Sequence, residues 1–264
     1  MFQNKVVVIT GAGSGIGREL AIQMAEAGAH LALSDINSMG LDETLRRLPA
    51  GSEAKRYLLD VASWEAFQAH AAEVKHDFGT VHYVVNNAGA TVVGTVANTS
   101  IEEFEWQLGI NLWGVLYGTK AFLPMMLEQR EGCVVNISSI FGLLGYPMQS
   151  AYNMSKFAIR GLTECLWSEL ENSGVRAVCV HPGGIKTNIE KSSRRCKAAG
   201  PEEDKFAALA AGVLLTPADE CAADIIKGLR KGSKRIMTGN KSRTVFWVSR
   251  LFPNSYPKLL KLMA

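Results

Sequence analysis

Three side chains in the middle of this 264-residue sequence have the types and spacing to move a proton: Ser139, Tyr152 and Lys156. Tyr152 and Lys156 stand four apart, which puts a phenol and an ammonium on one face of a helix. A free phenol has a pKa near 10, so one that gives and takes a proton near neutrality needs positive charge beside it. Bringing it to about 7 takes roughly 4 kcal/mol of differential stabilisation, supplied in such an arrangement by the ammonium and a cofactor cation. The Ser139 hydroxyl then hydrogen-bonds a substrate oxygen and holds it near the phenol. On spacing alone, Tyr-x-x-x-Lys also describes an ordinary surface pair on an amphipathic helix.

A second group of residues has the chemistry of a phosphate cradle. Thr10-Gly11-Ala12-Gly13-Ser14-Gly15-Ile16-Gly17 follows a β-branched run and opens a helical stretch, Arg18 to Ala27. Glycines let the chain turn sharply and bring backbone N–H groups to a pyrophosphate, whose charge the helix N-terminus stabilises. From Gly11 the spacing reads G-x-x-x-G-x-G, with an extra glycine at 13, rather than the generic G-x-G-x-x-G. Asp35 lies 18 residues after Gly17, at the end of the second apolar run. A carboxylate there accepts both ribose hydroxyls of NAD and repels the 2′-phosphate of NADP. Ser14, Ile36 and Asn37 supply no cation, so NAD is favoured over NADP. An Asp in Asp-Ile-Asn-Ser also reads as a helix cap.

These groups need a frame, and the hydrophobic pattern specifies one. Short β-branched runs (Val6 to Thr10, Leu31 to Ser34, Arg56 to Leu59, Val81 to Val85, Val134 to Ile137, Val175 to Val180) alternate with longer helical stretches. That alternation, with runs apolar throughout, predicts an α/β fold with a doubly wound parallel sheet covered by helices on both faces. Residues 1–240 read as one such domain, with an irregular basic stretch at about 183–205 read as a substrate lid. Gly200-Pro201-Glu202-Glu203 marks a helix start near its end, with Pro at the first helical position and acids in the first turn. Residues 241–264 form a basic, hydrophobic extension.

Composition excludes several classes. Hydrophobic residues at 47% and charged residues at 20% suit a chain with a sizeable core, and a net charge of +3 is too slight to imply nucleic acid. Cys133, Cys165, Cys179, Cys196 and Cys221 are odd in number and contain no C-x-x-C pair, so reduced, mostly buried thiols are expected in a cytoplasmic chain. His30, His70, His76, His82 and His181 form no metal-binding pattern. The run Val6 to Ile9 is too short for a signal-peptide core.

In order along the chain, Thr10 to Gly17, Asp35, Asp60-Val61, Asn86-Asn87-Ala88-Gly89, Asn111, Ser139, Tyr152-Asn153-Met154-Ser155-Lys156 and Pro182-Gly183-Gly184-Ile185-Lys186-Thr187 resemble the motifs of the classical short-chain dehydrogenase/reductase family. The resemblance runs from about Lys5 to about Met237. It implies a Rossmann-like domain with seven parallel strands, Tyr152 as acid/base, Lys156 on the nicotinamide ribose, and Ser139 orienting the substrate. It also implies that Asn111 holds a water linking Lys156 to solvent at a helix irregularity. Asp60 and Val61 would hold the adenine, Asn87, Ala88 and Gly89 would line the adenosine side, Ile185 and Thr187 would touch the carboxamide, and Pro182 and Gly183 would also bind the cofactor. Association as a homodimer or homotetramer through helices at about Ile101 to Gln129 and Ala151 to Asn172 follows from the same resemblance.

The expected function is hydride transfer between NAD(H) and a secondary alcohol or ketone. Val92, Val93, Ile140, Phe141, Leu143, Leu144, Tyr146 and Met148 near the expected pocket point to an apolar substrate: steroid-like, terpenoid or a fatty alcohol. The alternative is a nucleotide-binding regulatory protein of the same fold without turnover, which would be expected to have lost Ser139, Tyr152 or Lys156. For the extension two readings stand: packing over the pocket or a neighbouring subunit, or lying on an anionic membrane surface with Trp247 and the leucines in the headgroup layer. Two prolines, Pro253 and Pro257, and a longest apolar run of four residues exclude a bilayer span.

Overall fold

The computed structural model describes residues 1–187, 193–204, 206 and 214–263, with the side chains of 260–263 excepted. The sheet contains β1 (Val6–Thr10), β2 (His30–Asp35), β3 (Ala54–Leu58), β4 (Tyr83–Asn86), β6 (Gly132–Ile137), β7 (Val175–Gly183) and β9 (Arg235–Gly239). Their order is β3-β2-β1-β4-β6-β7-β9, and every neighbouring pair is parallel. β1 and β4 are buried along their whole length, because crossover helices cover both faces of a parallel sheet. Strand order reverses between β1 and β4, and a crevice at their carboxyl ends is where such sheets receive ligands.

One face carries α1 (Gly15–Glu26), α2 (Ser38–Arg47) and α7 (Ala218–Arg230), whose Leu20, Met24, Leu41, Cys221, Ile225 and Leu229 share a core with Val7, Ile9 and Leu33. The other carries α3 (Trp64–Phe78), α5 (Gly114–Glu128) and α6 (Ser150–Glu169), packing Phe67, Val74, Phe122, Met126 and Leu166 against Val8, Val84 and Val134. Two short strands, β5 (Val92–Val93) and β8 (Arg194–Arg195), pair in parallel outside the main sheet.

Three differences from the sequence-based expectation stand out. The expected helix from Ile101 to Gln129 is α4 (Ile101–Leu108), a π turn (Gly109–Trp113) and then α5. A seventh sheet strand, β9, was not apparent in the hydrophobic runs, because Arg235-Ile236-Met237-Thr238-Gly239 only alternates in burial. β7 runs on through Pro182 and Gly183, so the lid stretch begins as strand; residues 188–192 and 205 of that stretch lie outside the described residues. Beyond β9 the chain forms α8 (Ser242–Leu251) and α9 (Tyr256–Met263). α8 buries Val245 and packs against β9, β7 and the turn at 140–142. Four of the five cysteines are buried and Cys165 is exposed; all five are free.

Candidate functional site

The cofactor end is assembled from the tips of β1, β2 and β4. Gly11 turns the chain at φ +66°, and a Cβ there would lie 2.8 Å from Ala88 Cα. Asn87 Nδ2 donates to the carbonyls of Thr10 and Gly11 at 2.9 and 3.2 Å. The Thr10 hydroxyl accepts from the N–H groups of Asn87 and Ala88 at 3.0 and 3.1 Å, so β4 braces the glycine loop. Asp35 holds the loop from the other side. Its carboxylate accepts from Gly13 N at 2.9 Å and Asn37 N at 2.9 Å, and a Cβ on Gly13 would stand 2.8 Å from Asp35 Oδ2. Arg18 donates to the Gly13 carbonyl and to Thr44 Oγ1, tying the loop to α2.

α2, α3 and α4 start with side-chain caps from Asn37, Ser63 and Ser100, whereas Ser14 leaves the first turn of α1 without one. The N–H groups of Gly15, Ile16 and Gly17 therefore suit an anion. The side chain of Thr187 lies 3.2 Å from where a Cβ on Gly15 would be, so a side chain there would crowd it. Ile185 is buried and bridges to Thr216, fixing the chain after Pro182 and Gly183. Asp60 is exposed at the end of β3, its carboxylate accepting from Ala62 N at 2.9 Å, while Val61 is buried against Gly114. These residues fit a dinucleotide: glycines where side chains would fill the cradle, an uncapped helix start, and an acid at the tip of β2.

At the reacting end, α6 carries Tyr152 and Lys156 in line. Lys156 is buried, its Nζ 5.4 Å from the centre of the Tyr152 ring and donating to the Ile137 carbonyl at 2.9 Å. Gly89 leaves space beside it, since a Cβ there would be 3.8 Å from Lys156 Nζ and 3.4 Å from Asn111 Oδ1. Asn111 sits in the π turn, where an extra residue per turn interrupts the regular hydrogen-bond ladder. Its side chain accepts from Ala90 N at 2.8 Å and donates to Ala90 O at 2.9 Å and Ser155 Oγ at 3.3 Å. Ser139 Oγ accepts from Phe141 N at 3.1 Å and lies close enough to the Tyr152 phenol to lower its pKa.

Burial governs both titrating groups. It pushes the Tyr152 phenol up to about 12, partly offset by the Ser139 hydroxyl, and pulls Lys156 down to about 8. The expected lowering of the phenol is absent in the protein by itself, because desolvation is the largest influence on each group.

Sequence reasoning passed over four residues that hold this site. Asn153, inside the Tyr-x-x-x-Lys spacing, donates to the carbonyls of Phe141 and Leu144 at 2.9 and 2.7 Å and accepts from Tyr146 N at 3.3 Å. It clamps the loop after Ser139. His181 lies with Nδ1 3.0 Å from the Ser139 carbonyl, which can only accept, so the ring proton belongs on Nδ1. Glu203 is buried and accepts from Gly200 N at 2.9 Å, Asn98 Nδ2 at 3.0 Å and Thr95 N at 3.4 Å, fastening the far end of the lid stretch. Arg18 is the fourth. Only Asn153 and Glu203 had a local signal, one from its place in the motif and one as an acid in a first turn.

Of the eight apolar residues expected at the pocket, Val92, Val93, Leu143 and Leu144 are buried. Phe141 and Tyr146 remain partly accessible, stacked at 5.2 Å, with Tyr146 5.9 Å from Phe206 and Phe141 edge-on to Tyr152 at 6.1 Å. The Tyr256 hydroxyl of α9 accepts from Gly145 N at 2.9 Å. Among the described residues no cluster of His, Cys, Asp and Glu could hold a metal ion.

The sequence pattern described as short chain dehydrogenase matches residues 5–198. A Mycobacterium tuberculosis protein named as the oxidoreductase SadH is 44% identical over 263 residues, covering 98% of this chain and 95% of that protein. Dehydrogenase/reductase SDR family member 7B of Mus musculus is 38% identical over 192 residues, 71% of this chain and 59% of that one. Among solved structures, a short chain dehydrogenase/reductase from Burkholderia phymatum in complex with NAD superposes with a TM-score of 0.85 at 32% identity, covering 89% of each chain. Levodione reductase superposes with a TM-score of 0.78 at 32% identity, covering 87% of this chain and 91% of that one.

Proposed function

This chain belongs to the short chain dehydrogenase family, and from that premise we propose that it interconverts a secondary alcohol and a ketone with NAD(H), Tyr152 serving as the acid/base. One observation carries the reading: Lys156 Nζ lies 5.4 Å from the Tyr152 ring centre and within reach of Gly89, while the loop before the uncapped start of α1 is held by the Asp35 carboxylate. Bound NAD supplies the hydride exchange and, when oxidised, a positive charge.

The protein's own residues supply position and the proton. Ser139 Oγ donates to the substrate oxygen and keeps it against the Tyr152 phenol. In the ketone direction Tyr152 Oη gives its proton to that oxygen; in the alcohol direction it takes one. Lys156 holds the nicotinamide ribose and, charged beside the phenol, opposes the burial that otherwise keeps the phenol protonated. Asn111, bonded to both backbone groups of Ala90, keeps the π turn open next to Lys156, where a water can connect the ammonium to solvent. Asp35 takes the adenosine ribose hydroxyls and disfavours a 2′-phosphate, so NAD is the preferred coenzyme. Asp60 and Val61 flank the adenine, while Pro182, Gly183, Ile185 and Thr187 close on the carboxamide side.

The aromatic wall of Phe141, Tyr146 and Phe206 supports an apolar substrate. Pairing of two copies through α4, α5 and α6 is supported by Trp113, Leu127, Met154 and Phe157, which are exposed there.

Formation of NADH with a panel of secondary alcohols of graded size tests the reading, alongside Tyr152→Phe. Removing the phenol oxygen should lower turnover by about 10²–10⁴-fold while leaving NAD affinity nearly unchanged. A Tyr152→Phe rate close to the parent's would refute the assignment. A parent that binds NAD yet oxidises no alcohol in the panel would favour the regulatory alternative.

A further inference from the structure

The last forty residues carry an extreme charge distribution. From Ile225 to Ala264 there are ten Lys and Arg and no Asp or Glu, whereas residues 1–224 hold eighteen basic against twenty-five acidic side chains. α8 lies within this stretch, and among the described residues it is pinned on one side. Ser242 and Val245 are buried, and Phe246 rests 5.4 Å from the Arg235 guanidinium and 6.0 Å from that of Arg250. Arg235 in turn is held by Glu164 at 2.6 Å, so the helix cannot roll without breaking that set.

The opposite face presents Arg243, Thr244, Trp247, Arg250 and Leu251, spaced i, i+1, i+4, i+7 and i+8, which places them on one stripe. Trp247 is 57% exposed, Leu251 65% and the following Phe252 48%. At the base of the helix Asn240 N donates to the Thr216 hydroxyl at 3.0 Å, beside Leu215, which is 63% exposed.

We propose that this face of α8, with Phe252 and Lys258 beyond it, docks on an anionic phospholipid bilayer. A ten-residue helix is about 15 Å long, half of what a bilayer core requires, and no described helix is long and apolar enough to cross a membrane. Such a helix lies in the interface, its tryptophan and leucine among the headgroups and its arginines beside lipid phosphates. Charge complementarity selects the occupant: a forty-residue stretch free of carboxylates meets no repulsion at an anionic surface. A second copy of this chain, acidic over residues 1–224, is the competing occupant that the test must separate.

The docking helix also reaches the substrate mouth. α9 follows α8 and hydrogen-bonds Gly145 through Tyr256, next to Tyr146, which stacks on Phe141 and through it meets Tyr152. On the dehydrogenase reading, a bilayer there is the reservoir from which an apolar alcohol or ketone enters. The docking itself does not depend on that reading.

Co-sedimentation of the full chain with phosphatidylcholine vesicles, with and without phosphatidylglycerol, tests it. Binding is expected only to the anionic vesicles at low salt, with a blue shift of tryptophan emission that Trp247→Ser diminishes. Losing both charges in Arg243→Ser/Arg250→Ser should weaken partitioning about 25-fold, from roughly fivefold for each cation near the surface. Lys75→Ser, an exposed cation on α3, should leave it unchanged. Unaltered thermal melts of these surface variants would show that the fold is intact. Recovery of the parent in the supernatant with anionic vesicles at low salt overturns the proposal, as does equal sedimentation of parent and double variant. A Trp247→Ser protein that only changes oligomer mass by light scattering would give the face to a second copy instead. NADH assays are not needed for any of these readouts, so failure of the docking and failure of the enzymatic reading are distinguishable.

Discussion

Lys156→Met should make the cofactor-free protein more stable while abolishing turnover. Lys156 is 3% exposed and its ammonium has one described hydrogen bond, to the Ile137 carbonyl. A pKa of about 8 in place of the ordinary 10.5 means that carrying the charge at neutral pH costs roughly 3 kcal/mol. Methionine is unbranched and of similar length, so it fills the same space. Leaving the Ile137 carbonyl without the ammonium returns about 1 kcal/mol of that gain. The net is about 2 kcal/mol, or a rise in melting temperature of about 5 °C for a chain of this size. The pH dependence separates this cause from packing. Between pH 8 and 10.5 the unfolded chain holds the proton that folded Lys156 has released, so the parent gains stability as pH rises through that window, whereas the methionine variant does not. The advantage of Lys156→Met should therefore be full below about pH 7.5 and gone by about pH 10. Circular dichroism melts across that range are the assay. A variant that melts below the parent at pH 7, or a gap that does not change between pH 7.5 and 10, would refute the account of Lys156 as a cation held at the expense of stability.

Asp35→Ala should narrow the preference for NAD over NADP by roughly tenfold or more, read from binding titrations, since it removes the carboxylate that would repel a 2′-phosphate; a parent that prefers NADP would contradict the role given to Asp35. His70 is buried among Tyr57, Phe67 and Phe122, among the described residues neither ring nitrogen is hydrogen-bonded, and burial pulls its pKa down to about 4. Below pH 6.5 the unfolded chain takes up a proton that the folded one refuses, so stability should fall between pH 6.5 and 4; His70→Leu should remove that loss, seen as a urea midpoint above the parent's at pH 5. Glu203 is held down to about 2 by the Gly200 N–H and the Asn98 amide. Its fastening of the lid stretch should persist above about pH 4.5 and fail as pH drops toward 2, and Glu203→Ala should speed tryptic cleavage around Lys186 to Lys197 at neutral pH, unchanged cleavage counting against the clasp. Gly13→Ala should lose dinucleotide affinity and leave the melting curve nearly in place only if Asp35 moves aside, which a concurrent loss of NAD preference would reveal.

Much of the site was legible in the sequence because its signals are local or periodic. The glycine loop lies between a buried strand and a helix within one short segment, so spacing alone places backbone N–H groups at the strand's carboxyl end. Asp35 ends a strand, and Tyr152 and Lys156 share a helix face by their separation of four; neither needs knowledge of the rest of the chain. The parallel sheet followed from apolar runs that are buried on both faces. Other features depend on partners far away in sequence. β9 is a strand because Arg235–Gly239 pairs with Cys179–Gly183, not because of its own pattern. Asn111 falls in a π turn whose side-chain partner is Ala90, and Glu203 is buried by Thr95 and Asn98, over a hundred residues earlier. The directions of the two central pKa shifts also belong to the tertiary structure. Sequence places an ammonium near a phenol and suggests mutual attraction, but only packing determines how much water each loses, and here that loss is the largest influence on both, raising Tyr152 and lowering Lys156.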